Sequence, residues 1–384
     1  MRLARVRAIA WKEWREILRD RLFFTMAFVV PLLIMLVLGY GLSLDVENIP
    51  FAVVDHDRSE ASRAYIQRFS GSRYFDFVGY VERDADLQPL LADSRIRLGL
   101  VIPARFERRL RGDRPVEVQA LIDGMFPFRA QTTKGYLEAI DAEANRELLG
   151  DFLKRRKGLT VSRAARVVAP VRLAQRYLYN QAIESRWSIG SGLMMLVLMV
   201  SPPFLTALGV VREKESGSIY NIFASTVTRG EFILGKLLPY VGVSCLNILL
   251  LWLIATQLFG APFKGDPLFF FLASLVYVVC TAGIGLLVSI LVTTQVAAVL
   301  LTMVVTFIPA MLYSGLLVPV ESMSADARMQ AYLFPPRYFL EIVWGSFLKG
   351  LGWTDLWVPV AVLAGYAALL WSIGLLAFHK RPRR

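Results

Sequence analysis

Six long apolar runs dominate the pattern of hydrophobic and polar positions along this chain of 384 residues. The runs cover residues 22–44, 187–211, 237–260, 267–292, 296–319 and 354–378. Hardly any charged residue falls inside them, and a helix needs about 20 largely apolar residues to cross a hydrocarbon core of roughly 30 Å. The pattern therefore predicts an α-helical polytopic membrane protein with six transmembrane helices.

The segment before the first run, residues 1–21, has the period of an amphipathic helix over residues 3–19. Its apolar face consists of Leu3, Val6, Ala10, Trp14, Ile17 and Leu18. Such a helix lies in the membrane plane, with Trp11 and Trp14 near the depth of the headgroups and its cations toward anionic lipid. A basic flank that only sets the topology is an equally good interpretation of the same residues.

The longest polar-rich stretch, residues 45–186, is long enough for an independent domain. Its alternating pattern predicts four strands, within IPFAVVDHD, YFDFVGYV, RLGLVIP and VEVQALIDG. Helical segments separate them, and a long helix over 129–156 leads back toward the membrane. We therefore expect an α/β domain inserted between the first and second membrane helices.

Composition and charge agree with this picture and orient it. Apolar residues make up 55% of the chain and charged residues 19%, which is little charge for a soluble domain of this length. The net charge of +12 is concentrated at the ends: residues 1–21 hold seven Arg or Lys against three acids, and the tail HKRPRR adds four more. Basic flanks beside spans mark the cytoplasmic side, so both termini are expected inside and residues 45–186 outside. No DNA-reading motif accompanies the charge, and a nucleic-acid partner is not expected.

One stretch imitates a nucleotide-binding motif. Gly230 is followed after four residues by Gly235 and Lys236, the spacing of a phosphate-binding P-loop. The Ser or Thr that should follow is Leu237, no strand precedes the stretch, and a membrane helix begins at once. We therefore interpret the match as accidental and expect Lys236 at the interface end of the third helix, with its ammonium pointing outward.

Other candidate chemistry is sparse. His56 has Asp55 and Asp57 beside it, but adjacent side chains in a strand point to opposite faces, so we predict a polar turn in which an aspartate caps the following helix. Cys245 and Cys280 both fall in predicted spans. The sequence thus indicates neither catalytic residues nor a metal site.

The segment 320–353, between the fifth and sixth spans, is too polar to cross a membrane and too apolar to lie free in water. Pro335 and Pro336 separate two short helical pieces, which predicts a re-entrant or interfacial hairpin facing outside. Glu341 at membrane depth is a functional candidate. The alternative is that Glu341 only pairs with Arg337 one turn earlier.

The inner loop between the second and third spans carries the most specific signal. The stretch VREKESGSIYNIFASTVTRGEFILGKLLPY closely resembles the coupling-helix signature of ABC type-2 exporter permeases. SGLLVPVESM and LFPPRYFLEIVWGSFLKG resemble the last outer loop of that family, and the likeness extends over essentially the whole chain. The large domain after the first span is similar to that of the drug- and small-molecule-efflux branch. Residues 219–221 read Ile-Tyr-Asn where relatives often carry a Thr/Ile-acid-Gln type sequence, which puts the choice of ATPase in doubt.

The resemblance implies a half-transporter in the bacterial cytoplasmic membrane. Its coupling helix, residues 212–228, would dock into a cytoplasmic ABC ATPase subunit, which binds Mg-ATP, whereas this chain itself holds no cofactor. The docking residues implied are Arg212, Glu213, Lys214, Glu215, Gly217, Ser218, Ile219 and Ile222. A second permease chain, identical or a sibling, would complete the pathway, and the outer domain leaves room for a periplasmic adaptor as a further partner.

Two alternatives compete with an exporter of small, hydrophobic or amphipathic compounds. A membrane sensor would use the outer α/β domain to bind a ligand, but four further spans and the lack of a cytoplasmic signalling domain speak against it. An ABC cation extruder would need carboxylates inside the spans, and few are present. A membrane-embedded enzyme is weaker still, because the spans contain no cluster of His, Asp and Glu.

Overall fold

The computed structural model describes residues 3–42, 46–111, 116–125, 127–157, 179–180, 184–218 and 227–377. The chain divides into two compact units. One is helical and comprises Met1–Ser43 together with Tyr177–Arg384; the other comprises Leu44–Arg176.

The helical unit contains six helices that are long and apolar enough to cross a membrane. They are α2 (Arg21–Gly41), α7 (Ser185–Glu215), α8 (Arg229–Leu258), α9 (Pro267–Leu291), α10 (Gln295–Tyr313) and α13 (Trp357–Ala377). The shorter helices of this unit are α1 (Leu3–Arg19), α11 (Ala325–Leu333) and α12 (Pro335–Trp344). The prediction of six membrane helices in a mostly helical protein is therefore confirmed.

Two of these helices have ends that the apolar runs do not show. Helix α8 begins at Arg229 instead of residue 237, because Thr228 and Glu231 form a capping box in which each side chain accepts the other's backbone N–H, at 3.3 and 2.9 Å. Helix α10 ends at Tyr313 instead of residue 319. The backbone of Gly315 has φ 96°, a left-handed conformation that cannot continue a helix and that favours glycine.

Helix α1 packs along the first half of α8, a contact that the periodicity of α1 does not reveal. Gly235 permits the close approach, because a Cβ atom there would lie 2.8 Å from the Cβ of Ile9 and 3.0 Å from the carbonyl oxygen of Val6. The buried residues of α1 are Val6, Glu13 and Ile17. The predicted apolar face is therefore correct at Val6 and Ile17 but omits the buried Glu13.

Helix α7 lies at the centre of the helical unit. It contacts α2, α8, α9, α10 and α12, and almost all of its apolar stretch is buried. Its contact with α9 depends on Gly285: a Cβ atom there would lie 2.7 Å from the Cα of Pro203 and closer still to the Pro203 carbonyl oxygen. Nearby, the hydroxyl of the buried Tyr277 in α9 donates to the carbonyl of Met195 at 3.2 Å.

The second unit has a four-stranded sheet with strand order β2-β1-β3-β4. Strand β1 pairs in parallel with β2 and β3, and β3 pairs antiparallel with β4. Its elements are β1 (Ile49–Asp55), α3 (Glu60–Ser70), β2 (Phe75–Tyr80), α4 (Leu87–Ala92), β3 (Leu98–Ile102), α5 (Phe106–Arg111), β4 (Gln119–Ile122) and α6 (Pro127–Lys157). The central strands are apolar because both sheet faces are covered: α3 and α6 contribute to one core cluster and α4 to the other.

The turn after β1 is polar, as predicted, but its capping residues differ from the prediction. Ser59, not an aspartate, caps α3 by accepting the N–H of Ser62. Asp57 instead accepts the N–H of Glu107 at 3.0 Å, in the first turn of α5. Burial would raise the pKa of the Asp57 carboxyl, but backbone hydrogen bonds from the start of α5 and the Ser59 hydroxyl outweigh burial and lower that pKa.

His56 belongs to the same turn. Its Nε2 lies 2.8 Å from a carboxylate oxygen of Asp84. Among the described residues no group of three or more His, Cys, Asp or Glu could hold a metal ion.

We expect Gly285→Ala to lower the stability of the helical unit by about 1–3 kcal/mol, the usual cost of overpacking, because the new methyl group meets backbone that cannot rotate away. Thermal unfolding of the purified full chain in detergent measures the effect. Gly365→Ala in α13 is the matched control, since a Cβ atom there meets nothing within 4 Å. Equal melting temperatures for the two variants would contradict the close α7–α9 contact.

Candidate functional site

The most densely connected polar site is the last turn of α7, formed by Arg212, Glu213, Lys214 and Glu215. We call these four residues the hub. Successive residues of an α-helix are rotated by about 100° around its axis, because one turn contains 3.6 residues. Four consecutive side chains therefore face four directions, and each hub residue binds a different part of the helical unit.

Arg212 binds the junction between α1 and α2. Its Nη1 lies 2.7 Å from Asp20 and 3.4 Å from Glu16, and its guanidinium stacks over the Phe23 ring at 5.3 Å. Asp20 also caps α2 by accepting the N–H groups of Leu22 and Phe23. Burial would raise the pKa of the Asp20 carboxyl, but these N–H groups and Arg212 outweigh burial and hold that pKa below its ordinary value.

Glu213 is the carboxylate that joins three helices. Its Oε1 lies 2.8 Å from the Lys236 ammonium in α8 and 2.9 Å from the Lys12 ammonium in α1. Lys236 also donates to Glu13 of α1 at 2.7 Å, and the Tyr240 hydroxyl donates to the other oxygen of Glu13 at 2.8 Å. The result is a cluster of two carboxylates and two ammonium groups, balanced in charge.

This ion cluster is buried, apart from one member. The side chains of Lys236 and Glu13 are 1% and 2% exposed, whereas that of Lys12 is 55% exposed. Burial would lower the pKa of Lys12, but its hydrogen bond to Glu213 and the nearby carboxylates outweigh burial and raise that pKa, so Lys12 stays charged at neutral pH. Removing one partner from a buried pair costs about 3–5 kcal/mol, because the other charge is left uncompensated.

Space for the cluster is made one turn earlier in α7. A Cβ atom at Gly209 would overlap the hydroxyl and ring of Tyr240, which is itself fully buried. The glycine therefore lets the phenol cross the α7–α8 contact and reach Glu13.

The other two hub residues hold the short turn between α9 and α10. The Lys214 ammonium donates to the Ser289 carbonyl and lies 3.5 Å from the carbonyl oxygens of Ile290 and Val292. Glu215 accepts the backbone N–H of Gln295 at 2.9 Å and its side-chain amide at 3.0 Å. A cation thus lies at the C-terminus of α9 and an anion at the N-terminus of α10, which complements the dipoles of both helices.

The structure changes two predictions about these residues. The expectation that Lys236 points outward is wrong, because its ammonium is buried between Glu13 and Glu213. These two carboxylates take the place of the water that the ammonium would contact at the membrane surface. The hub also belongs to the end of α7 instead of a separate short helix, and Glu213 faces inward. Of the other predicted docking residues, Gly217 and Ser218 follow the hub half-buried, and Ile219 and Ile222 lie outside the described residues.

The stretch with the spacing of a P-loop is helical in the structure. Gly230, Gly235 and Lys236 all lie inside α8 instead of in a loop before a helix. A P-loop places its glycines in a loop between a strand and a helix, whereas Gly235 lies in the second turn of α8 and the Lys236 ammonium is bound by Glu13 and Glu213.

Trp11 and Trp14 take different environments on α1. Trp11 is 58% exposed and lies under the guanidinium of Arg15 at 5.3 Å, whereas Trp14 is half-buried against the core around α8. Both belong to a shallow groove next to Leu238, Pro239 and Gly242. Their depth in a membrane stays a prediction.

The segment 320–353 begins with a turn, Val320–Ser322, and continues with α11 and α12; Pro335 and Pro336 form the first turn of α12. The predicted ion pair between Arg337 and Glu341 is wrong: among the described residues neither side chain makes an ion pair within 4 Å. The guanidinium of Arg337 stacks instead on the Tyr332 ring at 3.6 Å.

Sequence reasoning missed Glu13 and Tyr240. A signal for Glu13 was present, because this residue falls on the same helical face as Ala10 and Ile17. Glu13 lies on the apolar face of α1, and Lys236 and Tyr240 lie one turn apart in an apolar run. These three residues predict a buried ion pair, but only once α1 and α8 are known to be in contact.

Comparisons with known proteins agree on one family. Residues 21–376 match the family described as "ABC-2 family transporter protein". The chain is similar to a protein named "Probable multidrug ABC transporter permease YbhS" from Escherichia coli (strain K12), with 31% identity over 90% of this chain and 89% of that protein. It is also similar to "Probable multidrug ABC transporter permease YbhR" of the same organism, with 26% identity over 92% and 93% of the two chains. A third relative there, "Inner membrane transport permease YhhJ", is 23% identical over 96% and 95%.

We expect Lys236→Met to lower the stability of the full chain by about 3–5 kcal/mol, because Glu13 and Glu213 lose their shared buried counterion. In the double variant Glu13→Gln/Lys236→Met part of this loss should return, with a coupling of roughly 0.5–3 kcal/mol in a double-mutant cycle. Unfolding in detergent measures all the variants. Lys12→Met, at the exposed edge of the same cluster, should cost less than Lys236→Met, because Glu213 and Glu13 both keep Lys236 as a partner. Strictly additive losses at Glu13 and Lys236 would contradict the cluster.

Proposed function

The chain belongs to the ABC-2 family of transporter proteins and is a membrane permease of an ABC exporter; on that premise we propose that it moves a small, hydrophobic or amphipathic compound out of the cytoplasm or the inner leaflet. The observation that carries the proposal is the extent of the family match, residues 21–376, which includes all six candidate membrane helices. Two of its relatives bear names that describe them as probable multidrug permeases, which supports cargo of this kind.

Hydrolysis of Mg-ATP is assigned to separate cytoplasmic ABC ATPase subunits. The helical structure of the stretch that imitates a P-loop, and the pairing of its Lys236 with Glu13 and Glu213, support this assignment. A second permease chain, either a copy of this one or a sibling, completes the pathway. A periplasmic adaptor that binds the outer α/β domain is a further proposed partner.

The proposed location is the bacterial inner membrane, with both termini in the cytoplasm and the α/β domain outside. The basic residues of the N-terminal segment and of the C-terminal tail support this orientation, since short basic flanks stay on the cytoplasmic side. The hub then lies on the cytoplasmic side, next to the ATPase.

We propose that the segment after the hub, through residue 228, docks into the ATPase. When this segment moves with the ATPase, the hub transmits the movement to the other helices of the helical unit. The geometry supports this, because the hub binds α1, α2, α8, α9 and α10 through short polar contacts. A rigid displacement of the last turn of α7 cannot occur without breaking these contacts or carrying the neighbouring helices with it.

The competing functions have less support. A ligand sensor accounts for the outer domain but not for a match to transporters along the six helices. A cation extruder needs a cation site, and the described residues contain no group of three or more His, Cys, Asp or Glu that could form one.

Co-purification of the tagged chain from its own membranes, followed by mass spectrometry and an ATPase assay, tests the proposal. We expect a nucleotide-binding protein in stoichiometric amount together with ATP hydrolysis. Isolation of the chain without such a protein, or with a signalling kinase, would contradict the exporter.

In the hub itself, we expect Lys214→Met/Glu215→Gln to uncouple transport, because it releases the α9–α10 turn but leaves the buried ion cluster intact. The variant should bind its ATPase and hydrolyse ATP, while export falls roughly 5- to 150-fold, the range of typical coupling free energies. Substrate efflux from vesicles and ATP hydrolysis measured on the same preparation report the two activities. Arg229→Met, an exposed cation at the start of α8, is the control and should leave both unchanged. Normal export by the hub variant would contradict the proposed relay.

A further inference from the structure

A second polar site lies at the loop after α10. An open cavity of about 280 Å³ lies between the end of α10, the turn Val320–Ser322 and α12. Its wall includes Ser314, Gly315, Pro319, Val320, Glu321, Arg337, Leu340, Glu341, Trp344 and Lys349. One water needs only about 10–15 Å³ of such space, so the cavity holds a ligand of many atoms.

Four ionisable side chains line this cavity. Among the described residues, Glu321, Arg337, Glu341 and Lys349 make no side-chain hydrogen bond or ion pair. The hub shows the opposite pattern, since each of its charged side chains has a charged or helix-terminal partner. Two cations and two anions line one cavity, and none has an ion-pair partner in the described part of the chain, which indicates a site for a ligand that carries both signs of charge.

Aromatic contacts hold the two cations away from the carboxylates. Arg337 and Glu341 are one helical turn apart in α12, a spacing that normally gives an ion pair. The Arg337 guanidinium instead stacks on Tyr332 at 3.6 Å and lies 5.6 Å from the Tyr338 ring. The Lys349 ammonium lies over the Tyr179 ring at 5.8 Å. Cation–π contacts leave the N–H donors at the edge of a guanidinium available to an acceptor.

The charges exclude simpler ligands. A free metal cation would be repelled by Arg337 and Lys349, and a simple anion would be repelled by Glu321 and Glu341. A phosphate matches the planar fork of a guanidinium, and an ammonium donates well to carboxylates. Leu340, Val320 and Trp344 provide an apolar wall for the methylene groups between two such charges.

We propose that this cavity binds a phosphoethanolamine group, with its phosphate on Arg337 and Lys349 and its ammonium on Glu321 and Glu341. The group is either the headgroup of a phospholipid or a free phosphoethanolamine ester, because the recognising chemistry is the same. This site is separate from the hub, and its occupancy does not depend on an ATPase partner or on the proposed function.

Binding to the purified full-length chain in detergent tests the proposal. The probes are short-chain phosphatidylethanolamine and phosphatidylglycerol with the same acyl chains, since the second has the phosphate but lacks the ammonium. We expect the ethanolamine lipid to bind about tenfold or more tightly, as lost charge-assisted hydrogen bonds predict. Native mass spectrometry measures the bound lipid, and the lipid-dependent melting temperature is an independent readout.

Variants separate the two ends of the ligand. Glu341→Gln, an exposed side chain, should remove most of the preference for ethanolamine, whereas Arg337→Gln should weaken both lipids by about tenfold through the loss of the phosphate contact. Arg337→Lys keeps the charge but lacks the planar fork, so its lipid affinity should lie between those of wild type and Arg337→Gln. This variant keeps the test valid if the Arg337→Gln protein does not fold. Asp326→Asn is the matched control, because this exposed carboxylate in α11 does not line the cavity.

Competition identifies the source of the group. If soluble glycerophosphoethanolamine displaces the lipid, the site accepts the free ester; if only the lipid competes, the site is a headgroup site, and both results support the proposal. Equal binding of the two lipids to wild type would overturn it. So would a preference for ethanolamine that survives Glu341→Gln.

Discussion

The helical unit is organised around the need to neutralise charges that are removed from water. Lys236 and Glu13 are almost completely buried, and each is tolerable only in the presence of the other. Because the two residues belong to α8 and α1, their pairing determines where α1 lies on α8. Glu213 adds α7 to the same cluster. The lack of a side chain at Gly209 leaves the space that Tyr240 occupies between α7 and α8. Several features of packing at this end of the unit therefore follow from one electrostatic requirement.

The hub extends the same principle to helix ends. Lys214 supplies a positive charge to the carbonyls that end α9, and Glu215 supplies a negative charge to the N–H groups that begin α10. Arg212 performs a similar role for Asp20, which caps α2. Four consecutive residues thus satisfy polar groups of five helices, which gives a physical reason for a charged run of this kind at the end of an otherwise apolar helix.

Much of the architecture could be predicted from the sequence, because membrane helices and buried strands leave strong local patterns. The six apolar runs and the four strand segments each correspond to an element of the structure. Two errors concern side-chain partners that another helix supplies. Lys236 near the start of an apolar run is ordinarily a snorkelling residue, and only the arrival of Glu13, 223 positions away in the sequence, makes burial favourable. Likewise, the spacing of Arg337 and Glu341 predicts an ion pair, but the Tyr332 ring from a neighbouring helix competes for the same guanidinium.

The sequence separation of the buried pair has a consequence for biosynthesis. Chains emerge from the ribosome N-terminus first, so Glu13 must wait for the whole intervening polypeptide, including the α/β unit, before Lys236 is made. Until then the Glu13 carboxylate lacks its shortest ion pair, and Lys12 of its own helix lies 3.8 Å from it. The cluster therefore cannot close before α8 is made. A chain truncated before α8 would keep an amphipathic N-terminal helix whose Glu13 carboxylate has lost both the Lys236 ammonium and the Tyr240 hydroxyl.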